Sequence, residues 1–188
     1  NLRELNIKNC LKVTQKAFEY IPTPLKRLRI THCVGIDNEI LPKLSERGDS
    51  FTELRISGNN RLNSDEIIST LLPTLKNIEE LDLSGFKMSR KAFNELHNKG
   101  SLRYLGLVNC GLTDSMTNLL YSTSIAFSGL QEVDLSKNPN LTEDSLISIC
   151  SRAFRVLIMR DMAQVNMSLF DSLLKTPFAK SIEYLDLS

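Results

Sequence analysis

The sequence predicts an α/β solenoid, a horseshoe with parallel strands on its concave side and helices on its convex side. Three observations predict it. An aliphatic pattern, L-x-x-L-x-L-x-x-N/C, returns eight times along 188 residues. After seven of the eight copies an apolar residue is followed at once by Ser, Thr, Asn or Asp. Beyond these pairs the apolar residues take helical spacing.

The copies read "LRELNIKNC" from Leu2, "LKRLRITHC" from Leu25, "FTELRISGN" from Phe51 and "IEELDLSGF" from Ile78. They continue with "LRYLGLVNC" from Leu102, "LQEVDLSKN" from Leu130, "FRVLIMRDM" from Phe154 and a partial "IEYLDLS" from Ile182. Successive starts lie 23, 26, 27, 24, 28, 24 and 28 residues apart. Each x-L-x-L-x core alternates, which sends its apolar residues to one face and its polar residues to the other. A strand of about 3–5 residues results, the short strand of a repeat architecture.

The pairs that follow are Val13–Thr14, Ile36–Asp37, Leu62–Asn63, Met88–Ser89, Leu112–Thr113, Leu141–Thr142 and Val165–Asn166. The polar member of each is a preferred N-cap, because its side chain accepts from the free N–H groups of a first helical turn. Ile67, Leu71 and Leu75 then step by four, with Ile68 and Leu72 beside them. Leu146, Ile147 and Cys150 are expected to share a face, as are Phe170, Leu173 and Leu174. Phe93–Leu96 and Leu119–Leu120 mark shorter segments. Pro22, Pro24, Gly48, Gly100, Gly129 and Pro177 close the units.

One unit buries neither its strand face nor its helical stripe alone, so neighbours stack to complete the core. A doubly wound sheet needs longer strands buried on both faces. These strands keep one face polar, which favours the horseshoe. About seven full repeats and a partial one form a single domain over residues 1–188. Arrays of this kind carry polar end caps. This chain opens without Met inside one strand motif and stops inside another. The expectation is part of a longer array or, failing that, end-to-end association.

Composition narrows the function. A net charge of +1, with 24% charged and 41% hydrophobic residues, excludes both an acidic disordered tail and a strongly cationic nucleic-acid binder. The balance hides an asymmetry. Residues 1–62 hold 11 Lys/Arg against 7 Asp/Glu, and residues 63–188 hold 12 against 15. No run of about 18 apolar residues spans a membrane, and the first residues lack the order of a signal peptide. Four scattered cysteines match reduced thiols of a cytosolic protein.

Through these repeats the chain resembles leucine-rich repeat proteins of the ribonuclease-inhibitor-like or cysteine-containing type, over all 188 residues. The resemblance implies a scaffold for binding proteins. F-box adaptors, actin-regulating proteins and secreted bacterial effectors carry similar repeats, and no F-box segment is visible. It also implies that Cys10, Cys33 and Cys110 share a position with Asn59 and Asn138, whose side chain turns inward to bond the bend after the strand. Phe86 and Met162 depart from that position, and local irregularity is expected there.

The adjacent His32 and Cys33 invite a catalytic or metal reading. A zinc site needs converging ligands with close cysteine pairs, and none of the cysteines forms one. A nucleophilic thiol needs partial exposure beside a positive neighbour, whereas adjacent residues of extended chain point apart. Cys33 is therefore read as structural, Cys150 as core, and His97 as a helix-end residue. No phosphate loop, H-E-x-x-H or G-x-S-x-G is present. No cofactor, metal or catalytic residue is expected.

The strand positions flanking the inward aliphatics form the predicted concave grid: Glu4, Asn6, Lys8; Arg27, Arg29, Thr31; Glu53, Arg55, Ser57; Glu80, Asp82, Ser84; Tyr104, Gly106, Val108; Glu132, Asp134, Ser136; Val156, Ile158, Arg160; and Tyr184, Asp186, Ser188. A basic end (Lys8, Arg27, Arg29, Arg55) precedes an acidic centre (Glu80, Asp82, Glu132, Asp134) interrupted by Tyr104 and Val108. Val156, Ile158 and Tyr184, with Arg160, have the composition of an interface core. The expected function is a non-catalytic scaffold that binds a protein on this face. It would be the recognition part of a larger adaptor or effector, in the cytoplasm or delivered to a host cytosol. The alternative is a targeting module of an enzyme whose catalytic domain lies elsewhere. Nucleic-acid binding through the arginines is disfavoured, because the acidic centre repels phosphate.

Overall fold

A computed structural model of the chain describes residues 1–188 apart from Tyr20, Ile21, Thr23, Asn98 and residues 122–126, and apart from the side chains of His97, Leu119 and Tyr121. The expectations for the His97 and Leu119 side chains lie outside the described residues.

Each x-L-x-L-x core forms a strand: β1 (Glu4–Lys8), β2 (Arg27–Thr31), β3 (Glu53–Arg55), β4 (Glu80–Asp82), β5 (Tyr104–Gly106), β6 (Glu132–Asp134), β7 (Val156–Ile158) and β8 (Tyr184–Asp186). All eight lie in one parallel sheet in chain order. The register follows the repeat, with Leu5, Leu28, Leu54, Leu81, Leu105, Val133, Leu157 and Leu185 as successive partners. The interior members of that row are buried, whereas Leu5 and Leu185 are only partly so. The register runs unbroken through the units carrying Phe86 and Met162, both buried, so the sheet lacks the irregularity expected there.

The turn after each strand depends on a feature that the repeat alignment alone did not announce. Asn9, His32, Gly58, Gly85, Asn109, Lys137 and Asp161 occupy one position in successive units, and all have positive φ, between 52° and 88°. That bend carries the chain from the sheet towards the convex side. Asn9, His32, Gly85, Asn109, Lys137 and Asp161 each donate a backbone N–H to the next unit, to the carbonyls of Thr31, Ser57, Val108, Ser136, Arg160 and Ser188. The ladder therefore continues past the strand ends. Most residues at the position are Gly, Asn or Asp, the types that tolerate a left-handed backbone.

The convex segments are α1 (Ile40–Ser45), α2 (Ser64–Glu66), α3 (Arg90–His97), α4 (Asp114–Tyr121), α5 (Glu143–Ile149) and α6 (Met167–Leu173). Four of the seven predicted caps act as expected: Asn63, Ser89, Thr142 and Asn166 accept from the N–H groups of Asp65 and Glu66, of Ala92, of Ser145 and of Leu169. Asp37 accepts the N–H of Glu39 ahead of α1, whose N-cap is Glu39 and carries no side-chain cap bond. Thr14 makes no side-chain cap bond, and its unit forms only a 3-10 turn, Gln15–Phe18. Thr113 pairs with the Ser115 hydroxyl at 3.1 Å instead.

Beyond α2 the winding widens to a π turn over Ile67–Leu71 and tightens to 3-10 over Leu72–Thr74. Pro73 supplies the cause, since it lacks the N–H that an α-helix would bond to the Ser69 carbonyl. Ile67, Ile68, Leu71, Leu72 and Leu75 are buried all the same. Two helix faces differ from expectation. In α5 the residue buried beside Leu146 and Cys150 is Ile149, with Ile147 half-buried. In α6 it is Leu169 that joins Leu173 in the core, while Leu174 is 52% exposed. Among the described residues, no helix is long and apolar enough to cross a membrane.

Candidate protein-binding face

The inward position after each strand fixes the platform from which the concave side chains project. Asn59 donates to the carbonyls of Ile30 and Ile56, both at 2.7 Å, and accepts the Cys33 N–H at 2.8 Å. Asn138 repeats this with the carbonyls of Leu107 and Leu135 and the N–H groups of Cys110 and Leu112. The Cys33 thiol lies 3.8 Å from the Ile7 carbonyl and that of Cys110 lies 3.3 Å from the Leu83 carbonyl. Burial pushes the Cys110 and Cys150 thiols up to about 12, which keeps them protonated. All four cysteines are unbridged. His32 and Cys33 do point apart, but because His32 is left-handed at φ 56°, not because the chain is extended.

At the N-terminal end the structure brings Arg27, Arg29 and Arg55 together, and corrects what they are. Glu53, placed on the open grid by its alternation, is 2% exposed. Its carboxylate receives Arg29 through Nε at 2.5 Å and Nη2 at 2.9 Å, and Arg55 through Nε at 2.6 Å. Arg55 also donates to Glu80 at 2.7 Å, and Glu4 lies 3.4 Å from Arg27 and 3.3 Å from Arg29. Burial acts to raise the Glu53 carboxyl, but hydrogen bonds from Arg29 and Arg55 and their charges outweigh it, and the net shift is downward. The three arginines of the expected basic end thus form a charge-compensated network, while Lys8 has no ion pair among the described residues. The same pairing removes Glu80 from the acidic centre.

Arg55 also stacks on Tyr104, with its guanidinium carbon 4.6 Å from the ring centroid. Burial, reinforced by Asp82, holds the Tyr104 phenol well above the usual phenol range. A Cβ at Gly106 would lie 2.8 Å from both Asp82 Oδ1 and Tyr104 Oη, so the missing side chain lets these two oxygens converge. A side chain at this grid position would have to displace both side-chain ends.

The acidic centre is narrower than the grid implied: Asp82, Glu132 and Asp134 carry no ion pair among the described residues. Part of each aspartate serves the strand end. Asp82 Oδ1 accepts the Ser84 N–H and Oδ2 the Ser57 hydroxyl, while Asp134 Oδ1 accepts the N–H and hydroxyl of Ser136. The D-L-S triplets are local turns as well as charges. They also account for Ser57 and Ser136, which are buried and not solvent-facing.

Towards the C-terminal end Val156 and Ile158 are half-buried between Glu132/Asp134 and Tyr184/Asp186. Tyr184 is 49% exposed and its hydroxyl donates to Asp186 at 3.2 Å. Arg160 bonds the same carboxylate through Nε at 2.7 Å. Val108 is half-buried beside the turn residue Asn109. The predicted residues thus fall into a compensated ionic end, an acid-and-tyrosine centre and an apolar end. Glu53, Glu4 and Asp186 are the partners that the expected site omitted. Alternation of Glu and Arg in neighbouring units was the signal for the first two.

No family model matches the sequence. Over 78 residues the chain is 41% identical to NACHT, LRR and PYD domains-containing protein 1a of Mus musculus, a match covering 39% of this chain and 7% of that protein. Among solved structures the fold is similar to a chain of the Rad7 and Elc1 complex of yeast, with a TM-score of 0.62 and 18% identity over 90% of this chain and 50% of that one. It is similar also to the internalin inlF of Listeria monocytogenes, with a TM-score of 0.59 and 15% identity over 100% of this chain and 54% of that one. The chain thus spans about half of each solved chain and 7% of the mouse protein.

Proposed function

We infer, from the premise that this chain is a leucine-rich repeat protein, that it is a protein-binding scaffold that seats its partner on the concave face. One observation carries the reading. Beside the arginine–glutamate network, Asp82, Glu132 and Asp134 have no ion pair among the described residues and border the half-buried Tyr104 and Val108. A partner with a basic part at this centre and an apolar anchor at Val156, Ile158 and Tyr184 complements both regions. Arg160 borders the anchor.

The role fits the recognition part of a larger adaptor or effector acting in a cytosol, and the yeast structure it resembles is itself a complex of two proteins. The alternative is a targeting module whose catalytic domain lies elsewhere in a longer protein. Phosphate binding by Arg27, Arg29 and Arg55 is disfavoured by their engagement with Glu4, Glu53 and Glu80. The test is affinity capture from cell extract with the natural chain and a Tyr104→Ala/Ile158→Ala/Tyr184→Ala variant. Polypeptides held by the natural chain should be lost from the variant, and equal recovery would sink the assignment.

A further inference from the structure

The upper rim of the concave face contains a notch. Gly58 and Gly85 are consecutive members of the left-handed turn position, so the rim lacks side chains there between His32 and Asn109. On β5, Gly106 repeats the omission. The opening at Gly58 and Gly85 has a volume of about 390 Å³ and reaches from the rim to Asp82, Tyr104 and Asp134.

The glycines shape its walls. A Cβ at Gly58 would meet the His32 ring at 2.7 Å, so the imidazole lies against bare backbone. Nothing stands closer than 4.0 Å to a Cβ built at Gly85, which leaves that part of the rim open. Gly106 lets Asp82 Oδ1 and Tyr104 Oη converge on one point.

Chemistry of the walls separates them from the rest of the face. Glu4, Glu53, Glu80 and Asp186 are each matched by an arginine of the chain. Asp82 and Asp134 are not, and among the described residues neither Asp134 Oδ2 nor the Tyr104 hydroxyl has a hydrogen-bond partner. Lys137, at the notch edge, is drawn to Asp161 at 3.4 Å. The notch therefore presents acceptors and net negative charge on more than one side of a void that admits a side chain.

We propose that this notch is a socket for one arginine side chain of the protein partner. The proposal rests on the concave-face reading above. A guanidinium carries five N–H donors in a planar fork and meets acceptors on two sides at once. Asp82 and Asp134 stand on strands separated by β5. Two strand spacings, roughly 10 Å between backbones, leave room for a planar cation between their side chains.

The probe is Nα-acetyl-L-arginine amide, with Nα-acetyl-L-citrulline amide as its neutral counterpart of similar shape. Each is titrated into the 15N-labelled chain while the backbone amides of Gly58, Gly85 and Gly106 are followed by NMR. Arginine should give saturable shifts at these glycines and citrulline none. Asp134→Asn keeps an oxygen for Ser136 and should weaken arginine binding roughly tenfold, the scale of a charge-assisted hydrogen bond. Equal shifts from both compounds, or no glycine shifts with arginine, would overturn the socket. If capture still depends on Tyr104, Ile158 and Tyr184 in that event, the scaffold reading stands and only the socket is lost.

Discussion

The Asn59 side-chain oxygen accepts the backbone N–H of Cys33, 26 residues earlier, at 2.8 Å. One unit's side chain thereby closes the preceding unit's turn. Both groups are buried, so neither has water as a substitute. Asn59→Ala would leave the Cys33 N–H and the carbonyls of Ile30 and Ile56 without this partner. Expected destabilisation is about 3 kcal/mol or more, from buried groups costing about 1–3 kcal/mol each. Cys33→Ala removes only a weak S–H donor, and about 1 kcal/mol is expected. Urea unfolding midpoints compare the two, and equal losses would contradict this account of the ladder.

Gly58 and Gly85 test whether left-handed turns or local space set the cost of a side chain. Gly85→Ala meets only the conformational penalty, about 1–2 kcal/mol. Gly58→Ala adds a clash with the His32 ring and should cost more. Combining it with His32→Ala should recover part of the loss, a coupling that a double-mutant cycle measures. Strict additivity would show that the ring contact contributes nothing.

Glu53 links stability to acid. Its folded carboxyl titrates below the unfolded value of about 4.3. Its contribution is therefore present above that pH and is lost as pH falls through the folded value. Glu53→Gln should lower stability by about 1–3 kcal/mol at neutral pH, because Arg29 and Arg55 keep Glu4 and Glu80 as partial replacements. The gap between variant and natural chain should narrow as pH falls below the unfolded value of about 4.3. A gap independent of pH would exclude the carboxylate as the cause.

Thiol labelling separates the four cysteines. Cys33, Cys110 and Cys150 are buried, and burial raises the Cys110 and Cys150 thiols to about 12. Iodoacetamide at neutral pH should modify Cys10 in the folded chain and all four in guanidinium, as read by peptide mass spectrometry. Rapid native modification of Cys33 would revive a reactive role for the residue beside His32.

The fold was legible because it is periodic. Leu28, Leu54, Leu81 and Leu105 recur at one position, and each faces the same surroundings in the stack. The caps Asn63, Thr142 and Asn166 were legible because capping is local, reaching two or three residues. The buried stripes of α5 and α6 differ from expectation at Ile149 and Leu169, which are fully buried, and at Leu174, which is exposed. In segments of 7 residues, neighbouring apolar positions leave the buried stripe to the packing of the adjacent helix.

The sequence by itself determined the repeat, the strand positions, the inward aliphatics and the Asn/Cys ladder, since these follow from alternation and from identical stacking in every unit. Tertiary structure decided which surface charges are free. Register places Arg27 beside Glu53 and Arg29 beside Arg55, yet the close bonds run diagonally, Arg29 to Glu53 and Arg55 to Glu80. Long side chains choose among several partners within reach across parallel strands, and the choice depends on the burial of Glu53 and the stacking of Arg55 on Tyr104. Neither is a property of residue order. It is that choice which leaves Asp82, the register partner of Arg55, without an ion pair among the described residues.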